Sequence, residues 1–213
     1  MNELLIKNAC VIDPLRDINA ETMDIAICDG VIVEEVSDAA KVIDARGALT
    51  LPGGIDSHTH ICGTKVNFGR YMSPEDMRAG RTPRRGQMHS TSGYSVPTTY
   101  GNSYRYSAMG YTTLLEGAMA PLEARHTHEE FIYTPLQDVM ANTLFDGNWA
   151  IMEAVRDGDV ERVAAIIAWT LKAVKGFGVK LTNPGGTEAW QWGKNVSCIR
   201  DPVPYFEVTP AEI

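Results

Sequence analysis

Cysteine is sparse and scattered: Cys10, Cys28, Cys62 and Cys198 form no C-x-x-C pair. Neither a disulfide framework nor a cysteine zinc site fits that spacing, and reduced thiols in a cytoplasm are expected. Long hydrophobic runs are also missing. The stretch AAIIAWTLKAV is far short of membrane-spanning length and carries Lys172. The N-terminal MNELLIKNACVIDP has too short an apolar run, and no charged lead, for a signal peptide, so neither a membrane nor the secretory route is expected. Basic charge is in deficit, with 19 Lys and Arg against 27 Asp and Glu and a formal net charge of −8. That balance disfavours nucleic acid as the main partner, because phosphate binding needs a basic face. The local exception is the cluster Arg78, Arg81, Arg84 and Arg85. It suits an anionic substrate or a partner protein, and equally a solvated loop. No G-x-S-x-G, P-loop or Rossmann glycine pattern occurs, which weakens serine-hydrolase, nucleotide and dinucleotide readings.

What remains is an ordinary globular composition, 44% hydrophobic and 22% charged, able to build a real core. The first fifty residues read as short strands broken at Asp13-Pro14, Asp29-Gly30 and Arg46-Gly47. They predict a small antiparallel sheet or half-sandwich domain over residues 1–48, with a second domain over residues 49–213. Residues 63–110 are rich in Gly, Ser, Thr, Arg and Tyr, and their weak periodicity predicts an irregular functional loop or lid. TTLLEGAMA (112–120) reads as a buried strand. VERVAAIIAWTLKAVKG reads as a helix with Asp159 as N-cap and Gly176 and Gly178 as its stop; Val163, Ile167, Leu171 and Val174 share one face. A short strand, Gly178 to Leu181, follows, closed by Asn183-Pro184-Gly185-Gly186. Helix, tight loop and buried strand in that order predict an α/β barrel or a doubly wound sheet.

The sharpest chemical feature is His58-Thr59-His60, at the end of an apolar strand introduced by Pro52-Gly53-Gly54. Strand side chains alternate faces, so imidazoles two apart can reach one metal ion together. The plainer alternative is a solvent-facing turn with two incidental histidines. Lys180 lies between Val179 and Leu181. Pointing into a barrel interior, it would lose charge by burial, and a neutral amine can take up carbon dioxide as a metal-bridging carbamate. A strand-end lysine with its amine in water is the plainer alternative. His126 and His128 fall on a loop or helix start and read as substrate-contacting or structural. Trp190-Gln191-Trp192 could line a pocket or pack on a loop, and Cys62 reads as a small apolar residue.

PGGIDSHTH after a set of N-terminal strands resembles the opening of the amidohydrolase superfamily. More specifically, HTHICGTKVNFGR and GVKLTNPGGTEAWQWGKN resemble the amidohydrolase-type subunits of formylmethanofuran dehydrogenases and of the related formyltransferase/hydrolase complexes. The resemblance runs over essentially the whole chain. It implies an α/β fold: the N-terminal part of a metal-dependent-hydrolase TIM-like barrel, preceded by a small β-sandwich segment. It implies two zinc ions at the C-terminal ends of barrel strands, with His58 and His60 as ligands and Lys180 as the carboxylated bridge. It also implies that formate and the amine of methanofuran are joined in one-carbon metabolism and methanogenesis, or the formamide hydrolysed in reverse. Partner subunits would carry a tungsten or molybdenum pterin and iron–sulfur clusters. Asn67, Arg70 and His128 are candidate substrate or supporting contacts.

The sequence departs from that family at its far end. No histidine follows Lys180, whereas the superfamily uses further histidines and an aspartate on later strands. A closed eight-stranded barrel takes about 250 residues, so residues 49–213 are expected to form an incomplete one. The expectation is a truncated or split chain, inactive alone and completed by another polypeptide. Two rival readings are a different cyclic-amide amidohydrolase, of dihydroorotase or hydantoinase type, and a non-catalytic assembly protein without metal.

Overall fold

A computed structural model describes residues 2–72, 82–83, 89–90, 98–186, 196 and 198–213, without the side chains of Arg70, Thr82, Pro83, His89 and Ser90. The arginine cluster at 78–85 and the Trp190-Gln191-Trp192 motif therefore lie outside the described side chains. The chain divides into two compact units, Met1–Gly53 and Gly54–Ile213.

The first unit is a mixed sheet centred on β1 (Glu3–Asp13). Asp13 caps the turn that follows: its carboxylate accepts the Leu15 N–H and pairs with Arg16 at 2.6 Å. β2 (Ile18–Cys28) returns antiparallel, and β3 (Val31–Val33) folds back on β2 through Asp29-Gly30. Both turn residues have positive φ (49° and 85°), as a tight hairpin with the strands' own twist requires. The sheet is not antiparallel throughout, contrary to the sequence expectation. β4 (Lys41–Asp44) and β5 (Leu49–Thr50) pair with β1 in parallel. The reason is topological: after β3 the chain crosses to the far edge of the sheet and enters beside β1 in the same direction.

The second unit is built on four parallel strands, β6 (Gly54–Thr59), β9 (Tyr111–Met119), β10 (Asp138–Leu144) and β11 (Gly178–Lys180). Between β6 and β9 lies a two-residue ribbon, β7 (Thr82–Pro83) with β8 (His89–Ser90). Spatial order follows chain order, β6-β9-β10-β11, with no reversal. That excludes the strand-order switch of a doubly wound sheet across these strands. Helices α1 (Thr64–Met72), α2 (Thr99–Ala108), α3 (Ala124–Phe131), α4 (Trp149–Arg156) and α5 (Val160–Val174) occupy the connections.

Two of these helices correct the expectation of an irregular stretch over 63–110. α1 and α2 are polar, so their faces carry little apolar periodicity, and α2 is signalled only by Thr98, whose hydroxyl accepts the Gly101 N–H. α5 matches its expected span, and Asp159 accepts the Arg162 N–H at its start. Its left-handed terminal residue is Lys175 (φ 53°) rather than a glycine. Leu114, Ala141, Met119 and Ala124 are buried between sheet and helices, with Phe131 and Val174 packed on them. Residues 198–213 fold back on α4, where Val203, Phe206 and Val208 bury Met152. Among the described residues no helix is long and apolar enough to cross a membrane.

Candidate active site

Register assigns the two faces of the parallel sheet. Thr59, Glu116 and Ala141 are aligned across β6, β9 and β10, and Leu114 and Glu116 are buried on the helix side. By alternation, Leu115, Gly117, Met140 and Asn142 take the opposite face, together with Gly178 and Lys180 of β11. β6 carries a register shift between Asp56 and Thr59, so simple alternation does not run through the H-x-H. Asp56 falls on the helix side with Thr59. Tyr106 Oη donates to Asp56 Oδ2 at 3.0 Å and lies 2.6 Å from Thr59 Oγ1. Burial, reinforced by Asp56, holds the Tyr106 phenol above its ordinary pKa.

His58 and His60 go to the other face. Their rings meet edge to face with centroids 5.3 Å apart, above Gly117. A Cβ on Gly117 would lie 2.6 Å from His58 Nε2 and 3.1 Å from His60 Cε1, so the glycine is the floor on which both imidazoles rest. The sequence shows glycines flanking the pair but gives no sign of this one, which arrives from β9.

Glu116, next to that floor, is equally silent in the motif. It is 2% exposed. One carboxylate oxygen is 2.7 Å from His60 Nδ1 and accepts the Ala118 N–H at 3.1 Å. The other accepts the N–H groups of Ile61 (2.9 Å) and Cys62 (3.3 Å). A lone acidic residue in an apolar strand is the signal that could have found it, since buried charges are paired or satisfied by donors. Glu130 of α3 extends the grip by accepting the Gly63 N–H.

At the far side of the sheet Lys180 sits at the C-terminal end of β11, half-buried and level with Leu144. Asp146, just past β10, is buried and accepts the Thr182 N–H. Burial raises its pKa, opposed by that hydrogen bond and by the positive charges of Lys65 and Lys180. Lys65 stands at the start of α1, five residues after His60, and Lys180 at the end of β11.

The remaining candidates are placed elsewhere. The Asn67 amide is 2.9 Å from His126 Nε2 and donates to Glu130 at 3.3 Å. His128 Nε2 is 2.8 Å from the Val174 carbonyl, joining α3 to α5. Cys62 is buried, with its Sγ 3.9 Å from Glu116 Oε2.

The donor set suits a divalent metal in part. A buried carboxylate 2.7 Å from His60 Nδ1 is the usual support of a metal-bound histidine. His58 shares its floor, and Lys180 shares that sheet face. Among the described residues no three His, Cys, Asp or Glu side chains gather into a ligand set, so the pair needs donors of another kind or from elsewhere.

Comparison with known proteins follows the same lines. A profile described as the Amidohydrolase family matches residues 41–213. Protein FwdA of Methanocaldococcus jannaschii is 57% identical over 99% of this chain and 37% of its own length. FhcA of the formyltransferase/hydrolase complex of Methylorubrum extorquens is 30% identical over 95% of this chain and 36% of its own. The crystal structure of that organism's formyltransferase/hydrolase complex, FhcABCD with methylofuran, matches 99% of this chain with TM-score 0.83 and 28% identity, covering 38% of the matched chain. The family resemblance read from the two long motifs is thus shown, and the chain spans a little over a third of the relatives it matches.

Proposed function

The chain belongs to the amidohydrolase family, and from that premise we propose that it is part of the amidohydrolase-type subunit of a formylmethanofuran dehydrogenase. In this reading it acts on the C–N bond of a formamide: formate and a methanofuran-class amine are condensed, or the formamide is hydrolysed in reverse. The reading is supported by likeness along nearly the whole chain to FwdA and to FhcA, the latter from a complex solved with methylofuran.

The observation that carries the chemistry is the gathering of His58 and His60 over Gly117 on the sheet face that also bears Lys180. Two zinc ions would be held by His58 and His60 and by Lys180 as a carbamate, and when bound they supply Lewis acidity toward a carboxylate or formamide oxygen. The chain's own residues do the rest. Glu116 and Glu130 fix the backbone after His60, and Gly117 admits both rings. Asp146 sits beside Lys180 as a carboxylate whose charge burial disfavours. Arg70 stays a candidate for an anionic substrate group. Asn67 and His128 are assigned to the helix layer that supports the site.

Four parallel strands in sequential order are half of a (β/α)8 wall. The ends are open to water: Ile55 on β6 is 68% exposed, and Val179 and Leu181 at β11 are each 45% exposed. Apolar edge strands left bare invite pairing. We therefore read residues 54–213 as an incomplete barrel finished by further strands, which would bring the missing ligands. The first unit is read as a segment of the accompanying β-sandwich. The working form is a cytoplasmic complex with the other formylmethanofuran dehydrogenase subunits, which carry the pterin metal and iron–sulfur clusters.

The test is the zinc content of the purified complex carrying His58→Ala or Lys180→Ala. Loss of metal with retained assembly is expected. Two zinc ions kept in either variant would defeat the assignment, and turnover of cyclic amides without formyl transfer would favour a different amidohydrolase.

A further inference from the structure

We propose that Glu116 is a positioning residue for this site, locking the neutral His60 ring in the tautomer that carries its proton on Nδ1. The use of that lock rests on the metal reading above; its existence rests on hydrogen-bond geometry alone.

The Glu116 carboxylate receives three backbone N–H groups, from Ile61, Cys62 and Ala118. A carboxyl with three donors aimed at it is an acceptor on both oxygens. The Cys62 thiol also donates, 3.9 Å from Oε2, and His60 Nδ1 at 2.7 Å from the other oxygen is then satisfied only as an N–H donor. The neutral imidazole has one proton, so Nε2 is left as the lone pair. The ring is half open on that side, its side chain 47% exposed while Glu116 stays closed to water. The same carboxylate thus does two things at once. It holds the chain where it leaves β6, and it chooses which nitrogen of His60 is free.

Replacing the carboxylate by its isosteric amide separates these jobs. Glutamine has two orientations. With its oxygen toward Ile61 and Cys62, it keeps both of those N–H groups paired, opposes its NH2 to one N–H, that of Ala118, and donates to His60 Nδ1. With the oxygen turned the other way it leaves the N–H groups of Ile61 and Cys62 unpaired, and both residues are buried. One opposed N–H costs less than two orphaned buried ones, so the first orientation prevails. His60 Nδ1 becomes an acceptor, and the proton moves to Nε2, where it blocks a ligand.

The experiment is solid-state 15N NMR of the histidine-labelled, metal-stripped complex near pH 8, with His60 assigned by difference against His60→Asn. In the native protein His60 is expected to show a protonated Nδ1 and a bare Nε2. Glu116→Gln should exchange the two signals and weaken zinc binding about 10–100-fold, the usual effect of losing such a support. A native His60 with its proton on Nε2, or a Glu116→Gln pattern identical to the native one, overturns the proposal. The native spectrum alone decides it if Glu116→Gln fails to fold. A tautomer that switches as expected, while His60→Ala keeps both zinc ions, overturns the metal reading and leaves the lock standing.

Discussion

Gly117→Ala tests the geometry of the histidine pair most directly. The added methyl would lie 2.6 Å from His58 Cδ2 and Nε2 and 3.1 Å from His60 Cε1. Carbon atoms in contact rest at about 3.5–4.0 Å. His58 therefore has to retreat by about 1 Å, and His60 by about half of that. Both residues are exposed, so the rings swing outward rather than press on the sheet. The stability cost should sit at the low end of the usual overpacking range, about 1 kcal/mol, partly offset by about 0.4–1 kcal/mol from a stiffer unfolded chain. Metal binding by the pair, on the function proposed above, has no such escape. Ligands must hold position within about 0.5 Å, and a 1 Å misplacement can cost about 100-fold in function. Zinc affinity measured by chelator competition should fall by about that factor while the unfolding temperature barely moves. Gly110→Ala is the matched control: its φ of +85° strains an alanine, but nothing lies within 4 Å of the new methyl. It should lower stability and leave zinc alone. Unchanged zinc affinity in Gly117→Ala would refute the claim that this glycine seats the ligands.

Two further outcomes concern the scaffold. Burial raises the pKa of Asp146, so its protonated form is favoured by folding. The stabilisation it lends is complete below the ordinary carboxylate range and fades as pH rises through the raised value. Asp146→Asn should flatten the stability curve from about pH 4 upward, followed by thermal unfolding; a slope unchanged over that window would contradict it. Ser103 is fully buried, donating to Gln137 Oε1 at 2.7 Å and accepting the Leu136 N–H at 3.2 Å. Ser103→Ala strands both partners and should cost about 1–3 kcal/mol in urea unfolding, against which a loss below a few tenths would count.

Local signals in the sequence are strong where chemistry at one position decides the backbone. Asp29-Gly30 turns because both residues adopt positive φ, Asp13 caps by accepting the Leu15 N–H just past Pro14, and Asp159 opens α5 by accepting an N–H. β9 is visible as an apolar run. β10 is not, because DVMANTL alternates buried and half-buried positions with polar residues on both faces. α1 and α2 are hidden by polar surfaces, and the parallel entry of β4 and β5 depends on a crossover that no residue announces. At the site, His58, His60 and Lys180 stand out as residue types. Their setting does not, because Glu116, Gly117 and Asp146 belong to other strands, and their importance is a matter of register.

That register also explains how one strand serves both stability and chemistry. On β9, Leu114 and Glu116 face the helices and are buried, whereas Leu115 and Gly117 face the opposite side, where the imidazoles lie. Alternation alone would keep Glu116 away from His60. The two meet because β6 carries its irregularity just before its end, after which the chain turns across β9 and presents the N–H groups of Ile61 and Cys62 to the carboxylate. The buried charge is tolerated because three backbone donors and an imidazole satisfy it. Removing the carboxylate altogether, as in Glu116→Ala, would leave those N–H groups without partners in a closed space. Loss of fold and loss of ligand geometry then arrive together, which is why only the isosteric amide can separate what this residue does for the sheet from what it does for His60.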